Sequence, residues 1–370
     1  MNQPDDSNSI QRARKKVKVG SARVVSSLLA SVTLVGAVSL GVSWKLVDGV
    51  AQSVTPIASS TELKSLSAPI INARRNPQTL SQDVRFRTLR SQLTALGNRL
   101  PTDSCLIVDI EGQRIISVNA DASLLPASNM KLVVAMVALD VLTPEFVFST
   151  SLVGKVNGNA IEGDAYLIGG GDPLLVTGNY PVTEPYPTFN FTRFENLFDA
   201  LRSQGITQIR GSIVGDESRY DAERFSPSLG LGIKGTEVGP LGALMVNDGV
   251  ITGNPIKPDN PALGAATEFT NTLQNNGIAV TGTPKVGTAP QDLSVIAKIN
   301  SLPLSDIVAE MLTNSDNNTA ELLVKELGFA TTGVGSREAG LEVMKAKLVE
   351  WGIPLDALTF VDGSGLDRGN

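Results

Sequence analysis

The first periodic part of the chain predicts an amphipathic helix. The helix begins near Ser81, which suits an N-cap, and Gly97 suits its C-terminal end. Its apolar residues recur at spacings of three and four, and they are Phe86, Leu89, Leu93, Leu96 and Leu100. On a helix this spacing gathers them into one apolar stripe.

Two β-branched runs follow and predict a β-hairpin. They are SCLIVDI at 104–110 and QRIISVN at 113–119, and the dipeptide Glu-Gly between them suits a tight turn. Cys105 lies in the first run and is interpreted as a small buried hydrophobe. The almost wholly apolar run at 130–139 then predicts a helix that starts close to Ser128.

Beyond residue 150 the pattern changes twice. Short strand-like runs alternate with Gly, Pro and Asn as far as residue 295, interrupted by amphipathic helices at 194–206 and 266–278. After residue 300 the pattern is strongly helical again. We therefore expect a mixed α/β (α+β) protein in which one domain, residues 81–150 and 296–370, is split by a β-rich insertion at 151–295.

Charge divides the N-terminal part of the chain. Residues 11–23 carry six basic side chains and no acidic one, whereas residues 24–44 carry no charge at all. An apolar stretch of this length spans a hydrocarbon core of about 30 Å. A basic flank on one side keeps the N-terminus in the cytoplasm. We expect a cytoplasmic tail at 1–23, a transmembrane anchor at 24–44 and a linker at 45–80, so that the protein is a single-pass cell-membrane protein with its other domains outside.

Composition excludes several functions. The net charge of −6 over 370 residues leaves no broad basic face for a nucleic acid. The chain contains no histidine, which excludes a Ser-His-Asp triad, a histidine general base and a histidine-bound metal.

Ser128 and Lys131 form a Ser-x-x-Lys pair at the start of the predicted helix. Residues three apart share a helix face, so the lysine amine reaches the serine hydroxyl. Burial lowers the pKa of a lysine, and a neutral lysine is a base able to activate a serine nucleophile. The first-turn N–H of Ser128 is free to serve as an oxyanion donor. The alternative is structural: a capping serine beside a lysine whose charged end reaches solvent.

A second polar motif lies in the turn between two predicted helices. Ser315 and Asn317 there offer a hydroxyl for proton relay and a carboxamide for a substrate amide. The alternative is that the turn caps the next helix, with Asn318 and Glu321 forming a capping box.

Four segments now resemble a known family. ASNMK at 127–131 follows a hairpin, and LIGGGDPLL at 167–175, SDNNTAELL at 315–323 and DGSGL at 362–366 follow in order. Ser-x-x-Lys with Ser-Asp-Asn is typical of penicillin-binding proteins and class A β-lactamases. The chain, over residues 82–370, looks like the low-molecular-mass class C penicillin-binding proteins, a family of D-alanyl-D-alanine carboxypeptidases and endopeptidases.

The resemblance implies a fold and a set of roles. The fold is a penicillin-binding, β-lactamase-like transpeptidase domain with an insertion. Ser128 is the acylated nucleophile, Lys131 its base and Ser315 the proton relay, while Asn317 holds the substrate backbone. The substrates are peptidoglycan stem peptides, and β-lactams are inhibitors. The resemblance also implies that neither a metal nor an organic cofactor is needed. Two alternatives stay open, a serine β-lactamase and a non-catalytic, membrane-tethered protein that binds the cell wall.

One motif departs from the family pattern. Lys-Thr-Gly does not occur in the 370 residues, and IKGTEV at 233–238 has those letters in another order. The family places that strand after the point where this sequence stops, and the strand supplies an oxyanion donor and a cation for the substrate carboxylate. We therefore expect a C-terminally truncated catalytic domain with impaired turnover.

Overall fold

The computed structural model describes residues 77–178, 180, 187–254, 256–356 and 358–370. Leu89–Asn370 forms one compact unit, and the described residues of the other unit, 77–88, are helical. The predicted tail at 1–23, the predicted anchor at 24–44 and most of the linker lie outside the described residues. Among the helices that are described, none combines the length and the apolarity needed to cross a bilayer.

Helix α1 spans Pro77–Gly97 and begins four residues before the predicted N-cap at Ser81. Proline suits the first turn of a helix because it has no N–H to leave unpaired there. The predicted end at Gly97 is confirmed. A Cβ at Gly97 would lie 3.0 Å from Val118 Cγ2, so the helix end packs closely on the next element.

The predicted hairpin is confirmed as strands β1 (Leu106–Ile110) and β2 (Gln113–Val118), which pair antiparallel. Glu111 and Gly112 both have positive φ, at 51° and 76°, as a two-residue type I′ turn requires. The interpretation of Cys105 as buried is wrong, because its side chain is exposed. The hairpin is a two-stranded sheet, so its apolar residues do not all face a core.

A short 3₁₀ turn, Ala127–Asn129, leads into helix α2 at Met130–Leu142. Strands β3 (Ser149–Asn157) and β4 (Ala160–Ile168) then form an antiparallel pair. The following elements are β5 (Leu175–Val176), β6 (Thr192–Arg193), α3 (Glu195–Ser203), β7 (Gln208–Ile209), β8 (Ile213–Asp216), α4 (Pro261–Asn275), β9 (Ala279–Val280), β10 (Lys285–Val286) and β11 (Ser294–Asn300).

The main sheet runs through the region predicted to be β-rich. Its order is β10-β8-β4-β3-β11, with β7 beside β4 and β9 beside β7. The pairs of β3 are antiparallel, whereas β4 pairs in parallel with β7 and β8. Helices α3 and α4 pack on this sheet through residues such as Leu197, Leu201 and Phe269. The division into a split domain and an insertion stays a prediction.

Three helices follow: α5 (Leu304–Asn314), α6 (Asn317–Thr332) and α7 (Arg337–Glu350). They pack with α2 around a second core, whose buried members include Val134, Met311, Leu323 and Met344. The mixed α/β class is thereby confirmed. The N-termini of α2 and α6 meet within this layer and carry both predicted motifs.

Candidate active site

Ser128 lies in the 3₁₀ turn and Lys131 in the first turn of α2. Ala127 opens the turn with a left-handed φ of 47°. Ser128 is exposed, whereas the lysine side chain is 1% exposed among the apolar residues of α2. One turn of chain thus places a serine hydroxyl at the surface and a lysine side chain in the interior.

Ser315 ends helix α5 in the left-handed conformation, with φ at 56°. Asp316 is the N-cap of α6, where its carboxylate accepts hydrogen bonds from the N–H groups of Asn318 and Thr319. The capping-box interpretation of Asn318 and Glu321 is therefore wrong, because Asp316 already fills that role. The sharp turn directs Ser315 and Asn317 toward the start of α2.

The structure brings all four predicted residues together. Lys131 Nζ lies 3.1 Å from Ser128 Oγ and 2.7 Å from Asn317 Oδ1. The Ser315 hydroxyl donates to Ser128 Oγ over 3.0 Å. The serine of the first motif therefore contacts both a lysine and a second hydroxyl, as a proton-transfer chain requires.

A further partner of Lys131 was missed from the sequence. The backbone carbonyl of Ser364 lies 2.8 Å from Lys131 Nζ. The Ser364 hydroxyl points elsewhere and donates to the Asp362 carboxylate over 3.3 Å. The composition of DGSGL at 362–366 indicates a tight turn, but no side-chain pattern reveals which carbonyl faces the lysine.

Burial and charge act in opposite directions on Lys131. Burial lowers the pKa of its amine, and this is the largest effect. The negative charges of Asp316, Glu321 and Asp362 oppose it and favour the ammonium form. The net result is a pKa below the ordinary lysine value, which is the direction that a general base needs.

Ser128, Ser315 and Asn317 line a cleft of about 440 Å³. Thr236 and Glu237 of IKGTEV form part of its wall, and the Asn317 carboxamide donates to the Glu237 carbonyl over 2.7 Å. The sequence had singled out this segment only for its departure from a motif. Polar groups dominate the cleft, and further members of its lining are Asp248, Lys257, Glu310 and Asn318.

Among the described residues, no group of three or more aspartate, glutamate and cysteine side chains is placed to hold a metal ion.

The sequence is similar to those of several known proteins. It is 27% identical over 335 residues to a D-alanyl-D-alanine carboxypeptidase of Actinomadura sp. (strain R39), covering 70% of this chain and 60% of the relative. It is 27% identical over 265 residues to a carboxypeptidase of Mycobacterium tuberculosis, covering 70% of this chain and 55% of that protein. The chain thus spans a little over half the length of these two relatives.

A solved structure shares the fold. Penicillin binding protein 4 of Haemophilus influenzae superposes with a TM-score of 0.62 at 21% identity, covering 75% of this chain and 74% of that one. The family model of D-Ala-D-Ala carboxypeptidase 3 (S13) matches residues 99–255 and 253–370. These residues include Ser128, Lys131, Ser315 and Asn317. On this match the chain belongs to the D-Ala-D-Ala carboxypeptidase 3 (S13) family.

Proposed function

We propose that the chain acts on the D-Ala-D-Ala end of peptidoglycan stem peptides, or on the cross-link made from it, as a serine carboxypeptidase or endopeptidase. The observation that carries the proposal is the contact of 3.1 Å between Lys131 Nζ and Ser128 Oγ. The lysine is buried and its pKa is lowered, so it is suited to take the proton of the serine.

The hydrogen-bond inventory of a neutral lysine fits this role. A neutral amine has two N–H donors and one lone pair. The Asn317 Oδ1 and Ser364 carbonyl oxygens are acceptors and take the two N–H groups. The lone pair is then left for the hydroxyl proton of Ser128.

Acylation follows in two steps. Ser128 Oγ attacks the carbonyl carbon between the two D-alanines while its proton passes to Lys131, and the first-turn N–H of Ser128 faces the developing oxyanion. The C–N bond then breaks, and the leaving amine receives a proton from Lys131 through the Ser315 hydroxyl. Asn317 holds the substrate backbone. Water releases the acyl group and restores the Ser128 hydroxyl.

The first test is the intact mass of the chain after incubation with benzylpenicillin. We expect a stoichiometric adduct that is absent in Ser128→Ala and present in Ser117→Ala, a control at an exposed serine of β2. Release of D-alanine from a stem pentapeptide is expected to be slow but measurable. Absence of any adduct on the unchanged chain contradicts the proposal.

The same experiment separates the alternatives. Rapid release of hydrolysed penicillin, with little persistent adduct, identifies a β-lactamase. Muropeptide binding that is unchanged in Ser128→Ala, without acylation of the unchanged chain, identifies a protein that binds the wall without catalysis.

We also propose that residues 24–44 anchor the protein in the cell membrane with residues 1–23 in the cytoplasm. The support is the uncharged sequence of 24–44 and the basic flank before it. Deletion of 24–44 is expected to move the protein from the membrane fraction to the soluble fraction. Retention in the membrane fraction contradicts the proposal.

A further inference from the structure

One buried carboxylate holds the loop that contacts Lys131. Glu321 lies near the start of α6 and is 4% exposed. Its Oε1 accepts hydrogen bonds from the Gly363 N–H over 3.0 Å and from the Ser364 N–H over 2.7 Å. The carbonyl of Ser364 lies 2.8 Å from Lys131 Nζ. Ser364 therefore links Glu321, through its N–H, to Lys131, through its carbonyl.

Other groups hold the two sides of this loop. Arg337 Nη1 donates to the Val361 carbonyl over 2.6 Å. The Asp362 carboxylate accepts from the N–H groups of Gly365 and Asp367, each over 2.8 Å. Glu321 binds the segment between these points, which is the segment that faces Lys131. Without Glu321, the Gly363 and Ser364 N–H groups lose this acceptor, while the hydrogen bonds on both sides of the loop remain.

From this geometry we propose that Glu321 is a positioning residue, which fixes the Ser364 carbonyl as the third partner of Lys131 and so directs the lysine toward Ser128. The inference rests on the proposed function, in which Lys131 is the base. It assigns the position of the loop to one side chain on α6, which is not among the residues that line the cleft.

Charge gives Glu321 a second effect on the same lysine. The charged groups that face Glu321 are Asp362 in the loop that it binds, Lys131 on α2 and Arg337 on α7. Burial, and next the charge of Asp362, raises the pKa of Glu321 to about 7. Once ionised, Glu321 raises the pKa of Lys131 against the effect of burial. Removing its charge therefore makes the lysine lose its proton at lower pH.

Two substitutions separate geometry from charge. Glu321→Gln keeps an oxygen that accepts the two N–H groups and removes the charge. Glu321→Ala removes both. The matched control is Glu326→Gln, since Glu326 is buried on the same helix and pairs with Arg219, away from Lys131.

The experiment measures the second-order rate of acylation by benzylpenicillin against pH, from about pH 5 to about pH 10. For Glu321→Gln we expect the acylation rate at high pH to reach a plateau within about threefold of that of the unchanged chain. The rise of the rate with pH should be displaced to lower pH. For Glu321→Ala we expect the plateau to fall by about tenfold or more, because the carbonyl is no longer held. Glu326→Gln should leave the midpoint of the limb unchanged.

If Glu321 has only a structural role, its substitution lowers the stability of the protein without changing the pH midpoint of the acylation rate. Thermal unfolding of each variant shows whether it folds. If Glu321→Ala does not fold, the result for Glu321→Gln alone decides the test. The inference is overturned if the acylation rate of Glu321→Gln has the same pH midpoint and the same plateau as that of the unchanged chain. Where Glu321→Ala folds, its plateau rate must also be unchanged.

Failure of the proposed function gives a different result. If benzylpenicillin does not acylate the unchanged chain, the proposed function fails. The inference is then decided by ¹³C NMR titration of Lys131 in lysine-labelled protein, assigned with Lys131→Arg. A lower titration midpoint in Glu321→Gln than in the unchanged chain supports it, and equal midpoints overturn it.

Discussion

Gly365 packs directly against Ala127. A Cβ placed on Gly365 would lie 1.8 Å from the Ala127 carbonyl oxygen, which is far inside any permitted contact. Gly365 has a φ of 78° and Ala127 a φ of 47°, so both residues adopt the left-handed conformation. The loop that follows Asp362 thus presses on the residue that precedes Ser128, and glycine is required at the point of contact.

This contact predicts a large effect of Gly365→Ala. We expect a loss of about 3 kcal/mol in the free energy of unfolding, from backbone strain and overpacking together. Displacement of the Ser128 turn should lower acylation by about tenfold or more. The control is Gly352→Ala, which has a φ of 75° and open space around it, and should cost about 1 kcal/mol. If urea unfolding shows the same loss of unfolding free energy for Gly365→Ala and Gly352→Ala, the contact with Ala127 does not have the proposed effect.

Replacing the proposed base should remove most of the reactivity. For Lys131→Met we expect acylation by benzylpenicillin to fall by about a thousandfold, within the range for loss of a general base. The Asn317 and Ser364 oxygens lose their donor, which costs about 1–3 kcal/mol for each oxygen left buried without a partner. Lys298→Met, at an exposed position of β11, is the control for adduct formation measured by mass. Acylation of Lys131→Met at the unchanged rate removes the lysine from the mechanism.

Asp316 makes stability depend on pH. Burial, and next the charge of Asp248, raises the pKa of the Asp316 carboxyl to about 7, from 3.8 in an unperturbed carboxyl. Between these two values the folded state holds a proton that the unfolded state has lost. The contribution of Asp316 to stability therefore falls as pH rises from about 4 to about 7.

Asparagine should remove this dependence while keeping the cap, because its side-chain oxygen accepts the same N–H groups. We expect the free energy of unfolding to decrease less between pH 5 and pH 8 in Asp316→Asn than in the unchanged chain. Chemical unfolding at both pH values measures the difference. An identical decrease in the two proteins contradicts the assignment to Asp316.

An ion pair between a half-buried arginine and a buried glutamate joins α6 to the segment after β8. Arg219 makes two hydrogen bonds to Glu326, at 2.6 Å and 2.8 Å, and Tyr220 donates to the same carboxylate. Glu326 is fully buried, so Arg219→Met leaves its charge uncompensated and should cost about 3 kcal/mol. The exposed pair of Arg210 and Glu162 is the control, and Arg210→Met should cost less than about 1 kcal/mol. Equal unfolding free energies for the two variants contradict the prediction.

Local patterns were sufficient for the elements that carry the site. Glu111-Gly112 predicts the hairpin turn because both positions need positive φ, and the polar turn before Asn317 predicts the break between two helices. The spacing of Ser128 and Lys131 predicts their contact because it depends on helix geometry alone. Each of these features is decided within a few residues of chain.

Features that depend on distant packing were not predictable in the same way. The Ser364 carbonyl has no side-chain signature, and the spacing of Asn318 and Glu321 predicts a capping box although Asp316 is the N-cap of α6. Cys105 belongs to an apolar run, but the two-stranded hairpin leaves it exposed. In each case the deciding neighbour lies on another element, and periodicity does not identify it.

The contacts of Lys131 have a consequence for the order in which the protein is made. Its partner Ser364 lies 233 residues later in the chain. At about 5–20 residues per second, the ribosome adds Ser364 roughly 10–50 s after Lys131. During that interval the nascent chain holds Ser128 and Lys131 without the Ser364 carbonyl. The contacts of Lys131 are therefore complete only after residue 364 has been added and its loop has closed on helix α2.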